Sequence, residues 1–527
     1  MKRLSVEESA GAAPLYSPQY EHDACGTGFV ADLAGRASHE IVEYALEAVV
    51  NLTHRGAVSA DAKTGDGAGI TVQIPRKLLL RELARLGVEA VDPADLAAGL
   101  VFLPADNDDL AFRCKDELTS ALRRQGIEGI WWRLVPVDPG VLGEQARATM
   151  PRIEQVIALR PVSCDEMEFE RRLYRARRRA EQAAKELGAR SFFVPSLSCR
   201  TIVYKGLFVA RDLGTFYADL RDPDMESALA LFHQRYSTNT FPTWQLAQPF
   251  RRIAHNGEIN TLQGNRNWMR AREPELSSPL WGDSLAELFP IIDPDGSDSM
   301  SLDQVLEFLE LSGRDIVHAV AMLIPEAWEN MADLDPAIRA FFDYHAGLME
   351  PWDGPAAIAF TDGRVAGAVL DRNGLRPARY SITEDGLVVL ASETGVIDLS
   401  DRQVIERGRL GPGQMLVADT ITGTVYRNEE IKRLLATRKP YGEWLTQYRL
   451  SLGSAPVNGN GHEIDEQSWL RRQVAFGFTA EDQRLVVHPM AVENKEPLWS
   501  MGDDTPLAVL SEFPRPLAHF FRQRFAR

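Results

Sequence analysis

A single cysteine at the head of a short apolar run is the feature that most constrains this chain. Cys25 is followed by Gly26 and Gly28, and an apolar run occupies 29–31. Glycines let the backbone pass close to a ligand and adopt conformations that other residues avoid. The pattern predicts a strand with a cysteine exposed at its head. A buried structural cysteine beside a tight turn fits the same residues, because free cysteine is among the most buried residue types.

The length and charge of the chain restrict its class. Its 527 residues are too many for one ordinary core, and such a length predicts about three domains. The 58 basic and 75 acidic residues give a net charge of −17, which argues against nucleic acid as the main partner. No apolar run approaches the roughly 18 residues needed to span a bilayer, so no membrane partner is expected.

The cysteines and the first residues indicate a cytoplasmic protein. Cys25, Cys114, Cys164 and Cys199 form no CxxC pair and no metal-ligand spacing, so neither zinc nor an iron–sulfur cluster is expected here. Their thiols are expected to be reduced. Residues 1–24 carry acidic side chains where a secretion signal needs its apolar core, and we expect a leader with little structure of its own.

Hydrophobic periodicity predicts alternating helices and strands after the leader. A first helix, capped by Ser38, carries apolar residues at helical spacing as far as Val49. Further β-rich runs lie at 99–103, 131–137, 354–360, 365–369 and 387–391, and helices at 168–190 and 301–350. The segment 452–464 has the composition of a linker, and a second piece starts near Asp465.

Six arginines between Arg171 and Arg179 make the long helix strongly basic. A patch for nucleic acid is one interpretation. The glutamates at 168, 170, 181 and 186 instead favour a solvated face or a subunit contact.

A glycine-rich loop follows the first helix and points to a pocket. Residues 64–69 read Thr-Gly-Asp-Gly-Ala-Gly, a composition unsuited to regular structure, and a β-rich run follows at 70–74. No Gly-Lys-Ser/Thr completes the spacing of a phosphate-binding P-loop. We therefore expect a loop whose backbone comes close to a ligand.

Two charged residues downstream suit the ends of a small zwitterion. Arg235 follows a strand-like run, and an arginine can grip a carboxylate through two parallel hydrogen bonds. A surface salt bridge is the alternative for that side chain. Asp298 precedes an apolar helical run and can face an ammonium group. Its alternative is a helix N-cap.

The dipeptide Asn256-Gly257 combines a side-chain amide with an unobstructed N–H, which suits an oxyanion-binding pair. A plain Asn-Gly turn between strands is the alternative. Two nearby histidines, His233 and His255, invite a conventional pairing with Cys25.

Seven stretches resemble the class II, N-terminal nucleophile glutamine amidotransferases, and most closely the glutaminase domain of the glutamate synthase large subunit. They are Cys-Gly-x-Gly-Phe at 25–29, Thr-Gly-Asp-Gly-Ala-Gly at 64–69, Arg-Tyr-Ser-Thr-Asn-Thr-Phe-Pro at 235–242, His-Asn-Gly-Glu-Ile-Asn-Thr-Leu at 255–262, Gly-Ser-Asp-Ser at 296–299, Pro-Trp-Asp-Gly-Pro-Ala at 351–356 and Asp-Arg-Asn-Gly-Leu-Arg-Pro at 371–377. Residues 500–508 resemble the opening of that family's central domain.

The resemblance implies a fold of α+β class, the four-layer αββα sandwich of N-terminal nucleophile hydrolases with a short C-terminal extension. It implies a leader at 1–24 and an amidotransferase domain at 25–430. A linker region at 431–464 and the start of a truncated central domain at 465–527 would follow.

Carried over residue by residue, the resemblance implies Cys25 as the nucleophile once residues 1–24 are removed. The side-chain amide of Asn256 and the N–H of Gly257 would form the oxyanion hole. A free α-amino group has a pKa of about 7.7–8.0, which suits a general base near neutral pH. The cleavage therefore agrees with the chemistry, since an amide nitrogen cannot act as a base.

The same resemblance implies that Arg235 holds the α-carboxylate of L-glutamine and that Asp298 holds its α-ammonium group. It gives no catalytic role to His233 or His255. No metal ligand is implied.

The expected function is hydrolysis of L-glutamine to L-glutamate, with ammonia passed to a site that reduces 2-oxoglutarate. No cofactor is expected in this chain. FMN and an iron–sulfur cluster would belong to the rest of the large subunit, beyond residue 527, and a small reductase subunit would be a further partner. Two alternatives stay open: a non-catalytic glutamine-binding remnant of a split synthase, and a class II amidotransferase that feeds another acceptor.

Overall fold

The computed structural model describes residues 26–55, 63–235, 242–450 and 465–497, together with 508–510, 512 and 517. These residues divide between Gln447 and Tyr448 into two compact units. Cys25, the leader at 1–24 and the linker at 452–464 lie outside the described residues.

The strands of the described part of the chain all belong to the first unit. They are β1 (Gly26–Asp32), β2 (Ala68–Gln73), β3 (Leu96–Leu103), β4 (Ile130–Leu134), β5 (Arg152–Leu159), β6 (Phe193–Ser198), β7 (Thr201–Gly206), β8 (Leu229–Gln234), β9 (Ile253–Gly257), β10 (Ala356–Thr361), β11 (Val365–Leu370), β12 (Arg379–Thr383), β13 (Leu387–Ala391), β14 (Val404–Arg409), β15 (Met415–Asp419) and β16 (Thr424–Arg427). The β-rich runs predicted in the second half of the first unit correspond to β10, β11 and β13.

The α-helices occur in both units. They are α1 (His39–Asn51), α2 (Arg76–Arg85), α3 (Asp108–Arg124), α4 (Glu144–Ala148), α5 (Glu166–Glu186), α6 (Leu213–Phe216), α7 (Leu262–Arg272), α8 (Asp298–Leu311), α9 (Ile316–Leu323), α10 (Pro336–Ala346), α11 (Asn428–Ala436), α12 (Tyr441–Tyr448), α13 (Glu466–Ala475), α14 (Ala480–Asp482) and α15 (His488–Val492). No helix among the described residues is both long and apolar enough to cross a membrane.

The strands form three antiparallel sheets. The largest has the order β14-β12-β13-β1-β8-β2-β7, the second β16-β15-β11-β10-β9, and the third β4-β5-β3-β6. Strand β1 lies in the middle of the largest sheet, where Phe29 is opposite Leu231 of β8 and Leu390 of β13. Strand β1, which follows Cys25 in the sequence, is therefore hydrogen bonded to a neighbouring strand along both of its edges.

Side chains alternate between two cores along the strands of the two larger sheets. Phe29 and Ala31 of β1 belong to a core that also contains Ala357 of β10. Val30 and Ile358, one position along on each strand, belong to the main core instead. Successive side chains of a strand point to opposite faces, so the first core lies between the two sheets.

Helices cover the outer faces of both sheets. Helix α1 packs on β1, β2 and β8, whereas α8 contacts β9 and α11 contacts β15. The order of layers is helix, sheet, sheet, helix, which confirms the α+β sandwich expected from the resemblance.

The third sheet forms a separate core with α3 and α5. Cys114 and Leu118 of α3 meet Phe169 and Leu173 of α5 in this core. Hydrophobic periodicity indicates β-rich runs here but does not show which strands pair, because strand partners are far apart in the chain. Strands β3 and β5, for example, pair Gly99 with Val156.

Helix α5 is far less solvated than its composition indicates. Arg177 is 1% exposed and its guanidinium lies 2.5 Å from a carboxylate oxygen of Glu307 on α8. Arg178 is buried as well and donates to the main-chain oxygen of Leu288. The prediction of a solvated face is therefore wrong for these two arginines, because acceptors outside the helix compensate the loss of water.

The first unit continues beyond residue 430, where sequence analysis ends the amidotransferase domain. Ile431 and Leu435 of α11 and Tyr441 of α12 are buried in its main core. Helix α11 is amphipathic, and its apolar face packs into this core. The second unit differs, since none of its described residues at 465–497 is buried.

Candidate active site

The ends of three strands meet on the side of the sandwich where Cys25 precedes β1 in the sequence. Gly26, the first residue of β1, is opposite Gln234, the last residue of β8. The hydroxyl of Thr27 lies 3.4 Å from the main-chain oxygen of Ala254 on β9. The start of β1 is therefore adjacent to the end of β8 and to β9, the strand that carries the dipeptide Asn256-Gly257. The prediction for Cys25 itself lies outside the described residues.

Arg235 follows directly after β8. Its Nε lies 3.4 Å from a carboxylate oxygen of Asp66, and its side chain is 24% exposed. Asp66 belongs to the glycine-rich stretch at 64–69, so the structure brings that stretch to the end of β8. The expectation of a loop is wrong for Ala68 and Gly69, which begin β2 and pair with neighbouring strands. The salt bridge considered for Arg235 is present, with Asp66 as the partner, and a grip on a substrate carboxylate stays a prediction.

Asn256 and Gly257 close strand β9 instead of forming a turn. They lie opposite Ala357 and Ala356 in the ladder with β10. The alternative of an Asn-Gly turn between strands is therefore wrong. Asn256 is 2% exposed and, by alternation, lies on the same face of β9 as Ala254, which belongs to the core between the sheets.

Gly257 occupies a position that no other residue fits. Its φ is +142°, and a Cβ atom there would lie 1.8 Å from the main-chain oxygen of Pro355. The backbone approaches this closely because the next residue, Glu258, donates its N–H to the same oxygen at 3.1 Å. The conformation that glycine permits therefore lets the end of β9 lie against Pro355, the residue before β10.

Asp298 is the first residue of α8 but not its cap. The cap is Ser297, whose hydroxyl accepts from the N–H of Met300 at 3.1 Å. The N-cap alternative for Asp298 is therefore wrong. Its carboxylate accepts from the N–H of Ile259 at 3.0 Å, from the N–H of Ser299 at 2.6 Å and from the hydroxyl of Ser299 at 3.1 Å. Asp298 thus reaches the segment that follows Asn256 and Gly257.

The two histidines, His233 and His255, are buried and contact residues next to those assigned to the site. Nδ1 of His233 lies 2.9 Å from the main-chain oxygen of Arg235, and Nε2 lies 2.9 Å from that of His255. Burial lowers the pKa of His233 to about 4, against the carbonyl contacts that raise it. Burial also lowers the pKa of His255, while Asp298 raises it.

His255 points away from the space between the sheets. Its position on β9 gives it the opposite face from Asn256, and its Nδ1 lies 2.7 Å from the hydroxyl of Ser299 on α8. Both nitrogens of His233 and Nδ1 of His255 therefore have partners among the described residues. A pairing of either histidine with Cys25 stays untested, because Cys25 lies outside the described residues.

Sequence reasoning missed two residues that shape the site. The side-chain amide of Gln248 makes two hydrogen bonds to the main chain of His255. It accepts from the N–H at 2.8 Å and donates to the carbonyl oxygen at 3.1 Å. Strand β9 is at the edge of its sheet, so this amide takes the place of a neighbouring strand. Nothing in the sequence around Gln248 signals it. Ser299 lies within the recognised Gly-Ser-Asp-Ser stretch, which is the signal that could have found it.

Among the described residues, no group of three or more His, Cys, Asp or Glu side chains is arranged to hold a metal ion. The groups assembled here are instead an amide, a glycine N–H, a carboxylate and a guanidinium. They are suited to binding a polar organic molecule.

Comparison with known proteins gives the family. Residues 25–444 match the family described as Glutamine amidotransferases class-II, and residues 471–527 match the Glutamate synthase central domain. The allosteric regulatory enzyme of purine biosynthesis, a solved structure, is 14% identical with a TM-score of 0.27, covering 63% of this chain and 48% of that one.

Curated relatives are longer than this chain. The glutamate synthase [NADPH] large chain of Azospirillum brasilense is 46% identical over 518 residues, which cover 98% of this chain and 34% of that protein. Ferredoxin-dependent glutamate synthase 2 of Synechocystis is 47% identical over 512 residues, covering 96% and 32%. The chain thus spans about a third of the length of these relatives. On the family match over most of its length, this chain belongs to the class-II glutamine amidotransferases.

Proposed function

We propose that this chain hydrolyses L-glutamine to L-glutamate and ammonia with Cys25 as an N-terminal nucleophile, and that the ammonia serves glutamate synthesis. The observation that carries the proposal is the end of β9. Asn256 and Gly257 close this strand beside the start of β1, and Asp298 is hydrogen bonded two residues further on. The family match, which begins at residue 25, supports Cys25 as the first residue of the working enzyme.

The reaction proceeds in two covalent steps. The sulfur of Cys25 attacks the side-chain carbonyl carbon of glutamine, and its thiol proton passes to the free α-amino group. The negative charge on the carbonyl oxygen is stabilised by the amide of Asn256 and the N–H of Gly257. The departing nitrogen takes the proton and leaves as ammonia, and water then hydrolyses the γ-glutamyl thioester to glutamate and regenerates the thiol.

The charged ends of glutamine are assigned to the two charged residues of the site. Asp298 faces the α-ammonium group from the start of α8, where its carboxylate is already held by three hydrogen bonds. Arg235 takes the α-carboxylate, beside the loop that carries Asp66. Neither group changes charge during the reaction, so both contribute to binding and orientation.

The synthase part of the function is the wider proposal. Support comes from the match of residues 471–527 to the glutamate synthase central domain. The acceptor is then 2-oxoglutarate, and its reduction falls to FMN and an iron–sulfur cluster outside residues 1–527. A small reductase subunit would be the electron-supplying partner. Three buried free cysteines, Cys114, Cys164 and Cys199, support a reducing compartment such as the cytoplasm.

Replacement of the nucleophile tests the proposal. Cys25→Ala should abolish the release of ammonia from glutamine while leaving the circular dichroism spectrum unchanged. Cys114→Ala is the matched control, because that thiol is buried in the third-sheet core and burial raises its pKa to about 11. Turnover that survives in Cys25→Ala would contradict the proposed function.

A further inference from the structure

A chain of hydrogen bonds lies behind the carboxylate assigned to the substrate ammonium group. Nδ1 of His255 is 2.7 Å from the hydroxyl oxygen of Ser299, and that hydroxyl is 3.1 Å from Oδ1 of Asp298. All three side chains are buried, with His255 at 2%, Ser299 at 0% and Asp298 at 7% exposure. The chain joins the third-from-last residue of β9 to the first residue of α8.

The chemistry of the three groups fixes the direction of donation. A carboxylate only accepts hydrogen bonds, whereas a serine hydroxyl has one proton to donate. The hydroxyl of Ser299 therefore donates to Asp298, and its oxygen accepts from the Nδ1–H of His255. The imidazole is then the Nδ1–H tautomer. Its Nε2 makes no hydrogen bond to any described residue, which agrees with a nitrogen that carries no proton.

The Asp298 carboxylate also binds the main chain on the C-terminal side of Asn256 and Gly257, the two residues proposed to stabilise the oxyanion. Oδ2 of Asp298 accepts from the N–H of Ile259 at 3.0 Å. His255 precedes Asn256 directly and Ile259 lies two residues after Gly257. Asp298 is thus linked to the main chain on both sides of the Asn256-Gly257 pair, through Ser299 and His255 on one side and directly on the other.

We propose that His255 and Ser299 are positioning residues that orient the Asp298 carboxylate toward the substrate ammonium group and fix it relative to the oxyanion strand. The inference rests on the proposed function, because it assigns the ammonium group to Asp298. Neither residue touches the substrate. Without the hydroxyl of Ser299, the carboxylate keeps its main-chain donors but loses the link to β9.

Kinetics with a matched serine pair test the proposal. Ser299→Ala should raise the KM for glutamine roughly tenfold, the effect of losing one hydrogen bond to a charged group, and change kcat by less than about threefold. Ser299→Thr keeps the hydroxyl and should restore KM to within about threefold of the parent. Ser301→Ala is the control, because Ser301 is also fully buried on α8 but donates to the main-chain oxygen of Ser297.

A spectroscopic measurement tests the hydrogen-bond chain without reference to activity. Nitrogen-15 NMR of histidine-labelled protein near neutral pH should show His255 as the neutral Nδ1–H tautomer, assigned by the signals that disappear in His255→Asn. The tautomer should be lost or mixed in Ser299→Ala and kept in Ser301→Ala.

Three results would overturn the proposal. They are an Nε2–H tautomer for His255, an unchanged KM in Ser299→Ala, and an equal rise in KM in Ser301→Ala. A parent chain that hydrolyses no glutamine would instead contradict the proposed function, and the tautomer would still decide whether the hydrogen-bond chain exists.

Discussion

The imidazole of His233 joins the two large sheets, because its Nε2 lies 2.9 Å from the main-chain oxygen of His255. His233 belongs to β8 of the seven-stranded sheet and His255 to β9 of the five-stranded sheet. The other nitrogen of His233 lies 2.9 Å from the main-chain oxygen of Arg235. One buried ring thus sets the separation of the strand that leads to Arg235 from the strand that carries Asn256.

Truncation of this ring is expected to destabilise the sandwich and the site together. His233→Ala leaves a cavity between the sheets and removes the contacts of the ring with the main-chain oxygens of Arg235 and His255, which should lower the free energy of unfolding by about 2–4 kcal/mol. Urea denaturation measures the change. His54→Ala, at a side chain that is 56% exposed, should stay within about 0.5 kcal/mol of the parent. An equal loss of unfolding free energy in the two variants would show that the contacts of His233 between the sheets do not stabilise the fold.

Buried histidines are expected to make the fold sensitive to mild acid. Burial lowers the pKa values of His233, His318 and His345 to about 4. The unfolded chain therefore binds more protons than the folded chain between pH 4 and 6.5, so stability is present above that window and is lost as the pH falls through it. Each histidine contributes a slope of about 1.4 kcal/mol per pH unit.

The pair His318 and His345 offers the test of that slope. Their Nε2 atoms lie 2.8 Å apart, so one ring donates an N–H to the unprotonated nitrogen of the other. The double variant His318→Gln, His345→Gln should show a shallower loss of stability between pH 6.5 and 4 in denaturant titrations. A slope equal to that of the parent would contradict the assignment of neutral rings.

Substrate binding and catalysis are expected to separate among the site residues. Asp298→Asn and Arg235→Ala should mainly raise the KM for glutamine, since these residues hold groups that do not change charge. Asn256→Ala should instead lower kcat by about 10²–10³-fold, the effect of losing one oxyanion donor. Steady-state kinetics of the three variants decide between the roles. A change in KM alone for Asn256→Ala would remove that residue from the oxyanion hole.

The conformation of Gly257 is expected to be indispensable. Gly257→Ala places a Cβ atom 1.8 Å from the main-chain oxygen of Pro355, at a φ of +142°. The end of β9 must shift, which should lower the free energy of unfolding by about 1–3 kcal/mol and abolish most glutamine hydrolysis. Gly264→Ala on α7 is the control, since a Cβ there meets nothing within 4 Å. Normal activity of Gly257→Ala would exclude a role for this strand end in catalysis.

The sequence predicted local structure well because apolar residues repeat with the period of each element. Strand β13, predicted at 387–391, has those limits in the structure. The layered fold and the grouping of Asn256 with Asp298 came from the resemblance, not from periodicity. Alternation tells which side chains share a face of a strand, but it cannot tell which element covers that face.

Long-range partners account for what the sequence did not predict. The burial of Arg177 depends on Glu307, which is 130 residues away in the chain. The role of Ser299 depends on His255, 44 residues earlier. Composition places arginine and serine among polar residues, and only the fold supplies the acceptors that allow their burial.

Cleavage before Cys25 is the central claim, because the proposed chemistry needs a free α-amino group on the nucleophile. Intact-mass measurement of the catalytically active protein tests it most directly. We expect a chain that begins at Cys25, 24 residues shorter than the full sequence. An enzyme that hydrolyses glutamine at full rate while still carrying Met1 would contradict both the cleavage and the use of the amine as the base.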